Sequence, residues 1–293
     1  MSISMIQQIR SAVANLNPED VRRIASQRVT IGLTADSGAS LASMEDFLIP
    51  SGVSREKRME VLPMVYRPGD PGAPAQFDVE LYEQGLACPR TAFTYYSGDP
   101  GRTVRDVLDQ RPEIAVPLAR SFPPFRKPAV EDIIAKISRE NALFTVLTAL
   151  PNVMPSFLEL PWVFGEFASD TAFLTVNQMR MAFLIAASSD SAIGYSEQKT
   201  EIASIVGGAF GWRALARELA GKIPLGGGLM AKGAIAFAGT YVVGLGLERL
   251  HRIGYGLTRA ERKEAYAAAV ERGKGVVALL LEGLKTRRKA RAA

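Results

Sequence analysis

IPLGGGLMAKGAIAFAGTYVVGLGL, residues Ile223 to Leu247, is the run that decides how the second half of the chain is built. It contains seven glycines and one charge, Lys232, in 25 residues. As a helix rising about 1.5 Å per residue, it is long enough to match the roughly 30 Å of a bilayer's hydrocarbon core. Ala231, Ala234, Ala238 and Gly239 recur at helical spacing, which lets neighbouring backbones approach closely. The run therefore predicts a buried helix, enclosed either by lipid or by other helices.

The sequence on either side is helical in the same way. Asn141 to Leu158 carries no charge, although Pro151 and Pro155 interrupt it. A helix opens at Pro128, with Glu131 and Asp132 in its first turns, and carries Ile133, Ile137, Phe144 and Leu147 towards Leu150-Pro151. Further helices are predicted at Asp170–Ala187, Glu197–Ile223, Leu229–Arg252 and Thr258–Leu284. Trp162, Trp212 and Tyr241 suit either headgroup-level anchors or core positions.

The first half has a different grammar. Residues 1–27 read as two short helices, one with Met5, Ile6, Ile9 and Val13 on a face, the other capped by Asn17 ahead of Pro18, Glu19 and Asp20. Val29-Thr30-Ile31-Gly32-Leu33 is a β-branched strand run that leads through a small-residue turn into a helix at Leu41–Leu48. Val61–Tyr66, Phe77–Tyr82 and Ala92–Tyr96 are further strand candidates separated by Gly/Pro turns. Asp99-Pro100 caps a helix through Asp109. Five prolines between Arg111 and Pro128 predict an extended linker. The expected fold is α+β and multidomain. It comprises N-terminal helices over 1–27, a small P-loop-like α/β domain over 28–117, an all-α helical bundle over 118–257, and a charged helix with a basic tail over 258–293.

Composition narrows the chemistry. At 293 residues, 47% apolar and 22% charged, with mean hydropathy +0.07, the chain is more apolar than most soluble enzymes. One cysteine, Cys88, excludes an internal disulfide, and with the single His251 it also excludes Cys/His zinc sites. Ser/His/Asp and Cys/His catalysis would both have to use that same histidine. Lys285, Arg287, Arg288, Lys289 and Arg291 concentrate the net charge of +5 in a tail suited to anionic headgroups. No aromatic residue interleaves them, so base stacking and a nucleic-acid partner are not expected. Met1 to Ile9 is polar-interrupted and closed by Arg10, so a cleaved signal peptide is not expected either.

Leu33-Thr34-Ala35-Asp36-Ser37-Gly38-Ala39-Ser40 stands where a phosphate-binding loop would, between strand and helix. Of G-x-x-x-x-G-K-[ST] it retains Gly38 and Ser40. Ala39 occupies the lysine position, and Asp36 brings a carboxylate towards any phosphate. The chain also lacks an Asn-Lys pair and any Lys-x-Asp for guanine recognition. Gly38 and Ser40 are thus the candidates for a degenerate nucleotide site, with GTP an unlikely ligand and no metal expected.

Several ordered stretches carry a resemblance. They are Leu118-Ala119-Arg120-Ser121-Phe122-Pro123-Pro124-Phe125-Arg126, then Asn141-Ala142, Ala149-Leu150-Pro151, and Asp170 with Leu174-Thr175-Val176-Asn177-Gln178-Met179. Gly211-Trp212-Arg213-Ala214-Leu215-Ala216-Arg217-Glu218-Leu219 follows, then Ile223-Pro224, Lys232 and Ala236-Phe237-Ala238-Gly239-Thr240-Tyr241-Val242-Val243-Gly244. From Leu118 to about Tyr255 the chain resembles a bacterial family of unknown function, found as membrane-associating helical domains behind Era-like GTPase domains. The resemblance implies a non-enzymatic scaffold or regulatory adaptor, with a pseudo-GTPase-like part, at the cytoplasmic face of the bacterial inner membrane or in the cytoplasm. It also implies a protein partner, with Trp212, Arg213, Arg217, Glu218, Gly239, Thr240 and Gly244 as structural or partner residues. A residual nucleotide-binding switch and a soluble partner-binding bundle are the alternative readings.

Overall fold

Strand β1 (Ile31–Thr34) forms where the β-branched run was read, and three more strands join it in parallel: β2 (Val65–Tyr66), β3 (Val79–Glu83) and β4 (Phe93–Tyr95). The sheet order is β2-β1-β3-β4, with Ile31 opposite both Val65 and Val79, and Leu81 opposite Phe93. The computed structural model describes residues 16–67, 69–149, 170–206 and 228–292. Over them the chain is α+β and mainly helical. It divides into two compact units, Glu19–Glu131 with Ala186–Ile193, and Asp132–Ile185 with the residues from Gly194 onward and those up to Pro18.

In the first unit, helices α1 (Pro18–Ala25), α2 (Gly38–Leu48), α3 (Arg55–Val61), α4 (Pro100–Gln110) and α5 (Ala115–Ser121) accompany the sheet. Their starts follow local chemistry. Ser37, Ser54 and Asp99 each cap a helix by accepting from the backbone N–H three residues on. The core gathers Ile31, Leu33, Val79 and Leu81 from the sheet with Met44, Leu48, Val61, Val107, Leu118, Phe122 and Phe125. Gly32 is required in β1, because a Cβ there would stand 2.6 Å from the Phe77 ring. Asp78 fixes the start of β3 by accepting from the Thr30 N–H at 2.8 Å and the Thr30 hydroxyl at 2.9 Å.

Several expectations are corrected here. Arg111–Pro128 is not an extended linker: Pro112–Ile114 is a 3-10 turn, α5 follows, and α6 (Pro123–Thr148) has already begun. Pro112, Pro117 and Pro123 fall in first turns, where the backbone N–H has no helical partner to lose. Pro128 lies inside α6 rather than at its start. The stretch from Leu118 to Glu131 belongs to the α/β unit, not to the helical part, because Leu118, Ala119, Phe122, Phe125 and Ala129 fill the sheet's core. Val61–Tyr66 is not one strand either. Val61 ends α3, Leu62–Met64 is a 3-10 turn around Pro63, and only Val65 and Tyr66 pair with β1.

The second unit contains most of α6, α7 (Asp170–Ser188), helical residues 199–206, α8 (Leu229–Ile253) and α9 (Arg259–Ala292). α7 and α8 fall on the predicted Asp170–Ala187 and Leu229–Arg252 to within a residue at each end, whereas α9 continues past the predicted Leu284 to Ala292. α8 ends on Gly254, whose left-handed φ of 85° closes the last turn. α8 packs closely on α6 and α9: a Cβ at Gly244 would lie 2.7 Å from Ile134, and one at Gly233 would lie 2.8 Å from both Val146 and Val277. The N-terminal helix carrying Met5, Trp162, and most of the predicted Glu197–Ile223 helix lie outside the described residues.

Candidate functional site

In an open parallel sheet, ligands collect outside the carboxyl ends of the strands, where the chain reverses its direction of travel across the sheet. Here that point lies between β1 and β3, because β2 was added on one side of β1 and β3 on the other. The Thr34–Ser40 turn leaves β1 at this edge and Glu83 ends β3 beside it. Gly38 and Ser40 are therefore brought to the carboxyl edge of the sheet at this point of reversal.

The side chain of Glu83 already serves that place. One carboxylate oxygen accepts from the Asp36 backbone N–H at 3.1 Å, and the other accepts from the Ser40 hydroxyl at 2.6 Å. The Ser37 hydroxyl donates to Ser40 Oγ at 3.0 Å and accepts from the Ser40 N–H at 3.1 Å. A protein carboxylate thus takes the donors that a phosphate-binding turn offers to its ligand. The electrostatics follow. The Ser40 hydroxyl, then the Asp36 amide, hold the Glu83 carboxyl below its usual range, while the hydrogen bond to Glu83 and its negative charge push the Asp36 carboxyl upward. Gly38 makes no close approach to anything, since a Cβ built on it meets no atom within 4 Å.

The second candidate assembly lies in the helical unit and centres on Thr240. Its oxygen accepts from Asn141 Nδ2 at 2.7 Å and from Gln178 Nε2 at 3.2 Å. Asn177 Nδ2 donates to Asn141 Oδ1 at 2.9 Å and to Glu140 at 3.2 Å, and Arg180 donates to both Glu140 and Asn177 at 3.3 and 3.1 Å. α6, α7 and α8 are thus tied by one polar network, in which Asn141 and Thr240 have no exposed surface. The Glu140–Arg180 ion pair is itself largely enclosed, each side chain being 12% exposed. Buried polar groups of this kind are tolerated only when their hydrogen bonds are made, and they fix which helix faces meet.

Of the predicted site residues, Thr240 lies at the centre of this network, Gly239 is buried in α8, and Gly244 faces Ile134. Tyr241 stacks on Phe237 and accepts a hydrogen bond from Arg272. Trp212, Arg213, Arg217 and Glu218 lie outside the described residues. Glu83, Glu140 and Arg180 were not singled out from the sequence. The sole signal for Arg180 was charge inside an otherwise apolar helical run, and Glu140, close behind Lys136 and Arg139, offered none. His251, in the last turn of α8, is largely buried, with Nε2 3.9 Å from Glu201 Oε1. Among the described residues, no three His, Cys, Asp or Glu side chains gather as a metal site. No family model, curated protein or solved structure matches the chain.

Proposed function

We propose that the chain is a non-enzymatic scaffold or regulatory adaptor held at the cytoplasmic face of a bacterial membrane by its helical part, with an α/β part related to GTPases but no longer run by nucleotide. The ordered matches from Leu118 to about Tyr255 support kinship with the membrane-associating domains that follow Era-like GTPase domains. The observation that carries the reading is α8, the single helix among the described residues long and apolar enough to cross a bilayer, with a mean hydropathy of 1.4 over its most apolar window. The Glu83 carboxylate at the carboxyl edge supports the loss of nucleotide, since a phosphate arriving there meets negative charge instead of a lysine.

One observation favours a soluble, partner-binding helical domain as the second reading: 56% of that same window is buried inside the protein. Cell fractionation of the full chain followed by alkaline carbonate extraction separates the two. Retention in the pellet supports the membrane reading, and quantitative recovery in the supernatant at low salt overturns it. For the α/β part, calorimetry with magnesium and GTP or ATP should give affinities weaker than about 100 μM. Low-micromolar binding of either nucleotide would remove the adaptor reading in favour of a nucleotide switch.

A further inference from the structure

Away from the carboxyl edge, the α/β unit has an open cleft of about 480 Å³ between residues 25–28, 60–64 and 120–121, within the size range of small-molecule sites. Arg28, Arg120, Gln27 and Ser121 line it together with Glu60, and Pro63 and Met64 supply an apolar wall.

Three features indicate what it takes. The first is charge. Arg28, Arg120, Lys57 and Arg126 are set against two carboxylates, Glu60 and Asp190. Lys57 reaches both carboxylates at 3.0 Å, Arg120 lies 3.6 Å from Asp190, and Arg28 has no carboxylate partner among the described residues. Arg126 is close enough to Asp190 and Arg120 to feel both charges, its Nε is buried with no hydrogen-bond partner among the described residues, and the four cations outnumber the two carboxylates.

The second is rigidity. Arg120 donates to the carbonyls of Ala187 and Ser191 at 3.3 and 3.0 Å. Asp190, which it also approaches, sits in a left-handed turn at φ 59°, and Arg22 pins the next residues through the Ile193 carbonyl at 2.7 Å. A guanidinium held on several sides presents its remaining N–H groups at low entropic cost.

The third is an unused donor. Ser121 is 6% exposed, and what remains of its surface lines the cleft, but its hydroxyl has no hydrogen bond among the described residues. That hydroxyl faces the cleft beside two arginines and is available to donate to an anion held there.

We propose that this cleft binds a small organic oxyanion, its phosphate or carboxylate held by Arg28, Arg120 and Ser121 and its apolar body laid against Pro63 and Met64. The site is independent of the membrane reading. Arg28 spends one N–H on the Pro63 carbonyl at 2.6 Å and keeps the others for a ligand.

The test is calorimetry on the full chain with phenyl phosphate, benzoate and inorganic phosphate, each titrated at ionic strength matched with sodium chloride. Binding of phenyl phosphate or benzoate with Kd below about 1 mM is expected, and tighter than inorganic phosphate. A stronger response to phenyl phosphate identifies a phosphate site, and a stronger response to benzoate a carboxylate site. Arg28→Gln should weaken the better probe by about fivefold or more, as loss of a charge-assisted hydrogen bond does. Ser121→Ala removes no protein hydrogen bond, so its thermal midpoint should hold while the affinity falls. Absence of heat and of any thermal shift with all three probes overturns the proposal, as does binding unaffected by both substitutions.

Discussion

Replacing Thr240 by Val tests the polar network with almost no change of shape. Val fills the same volume but cannot accept a hydrogen bond, so Asn141 Nδ2 and Gln178 Nε2 lose their shared acceptor in a region without exposed surface at Asn141 or Thr240. Each stranded buried donor costs about 1–3 kcal/mol, and burying a methyl in place of the hydroxyl returns about 1 kcal/mol. The net expectation is a loss of about 3 kcal/mol. Thr240→Ser is the control: it keeps the acceptor and loses one methyl, for about 1 kcal/mol. Urea titrations followed by far-ultraviolet circular dichroism, in detergent if the chain needs it, compare the two. With m-values of about 2–3 kcal/mol/M, Thr240→Val should lower the midpoint by roughly 1 M or more. The reasoning is refuted if Thr240→Val is as stable as Thr240→Ser, since the hydroxyl would then not be what α6 and α7 bind on α8.

Gly244 and Gly246 lie on the same helix but should respond with opposite sign. Alanine at 244 drives a Cβ to 2.7 Å from Ile134 and should cost about 1–3 kcal/mol, whereas alanine at 246 meets nothing within 4 Å and should add about 0.5–1 kcal/mol, both read from thermal midpoints. Gly38→Ala should likewise stabilise by up to about 1 kcal/mol, since Gly38 is helical and open; marked destabilisation would show that the turn needs glycine for a reason outside the described geometry. Asp36→Asn should make the protein more stable at pH 7. Because Glu83 raises the folded-state pKa of Asp36, the folded state binds more protons than the unfolded chain, and stability falls as pH rises above the ordinary aspartate value of 3.8. The advantage of Asn should therefore shrink as pH is lowered towards 3.8, and an advantage independent of pH would contradict the Glu83 repulsion. Glu140→Gln should destabilise by about 3–5 kcal/mol in the same urea assay, because Arg180 would be left as an uncompensated, largely buried cation.

Features written in local chemistry were legible in the sequence: β1, the Asp99 cap, and the lengths of α7 and α8 all follow from propensity, caps and apolar spacing. Where the reading failed, a local rule had been applied without its position. Prolines at 112, 117 and 123 read as breakers only when their position is ignored, since a proline in a helix's first turn gives up no hydrogen bond, and Leu118, Phe122 and Phe125 all reach the sheet's core although the chain is extended at Phe122 between α5 and α6. Val61 looked like the start of a strand because its β-branched character was weighed without Ser54, whose cap starts the helix that Val61 ends. The two candidate sites were half visible. Gly38 and Ser40 were found by motif, but nothing local ties Glu83 to them, since their meeting depends on the pairing of β1 with β3. Asn141, Gln178 and Thr240 are separated by 99 and 62 positions, and no periodicity on one helix announces that three helices turn them to one point.

The Glu83 carboxylate also sets a threshold for anything else that would use the Asp36 amide and the Ser40 hydroxyl. A tethered group competes at a local concentration fixed by the chain, in the millimolar range or above for short flexible links and higher for one held on a strand. A free anion of modest intrinsic affinity therefore does not meet an empty cradle but an incumbent that dilution cannot remove, and its apparent affinity is lowered by the ratio of that local concentration to the incumbent's own dissociation constant.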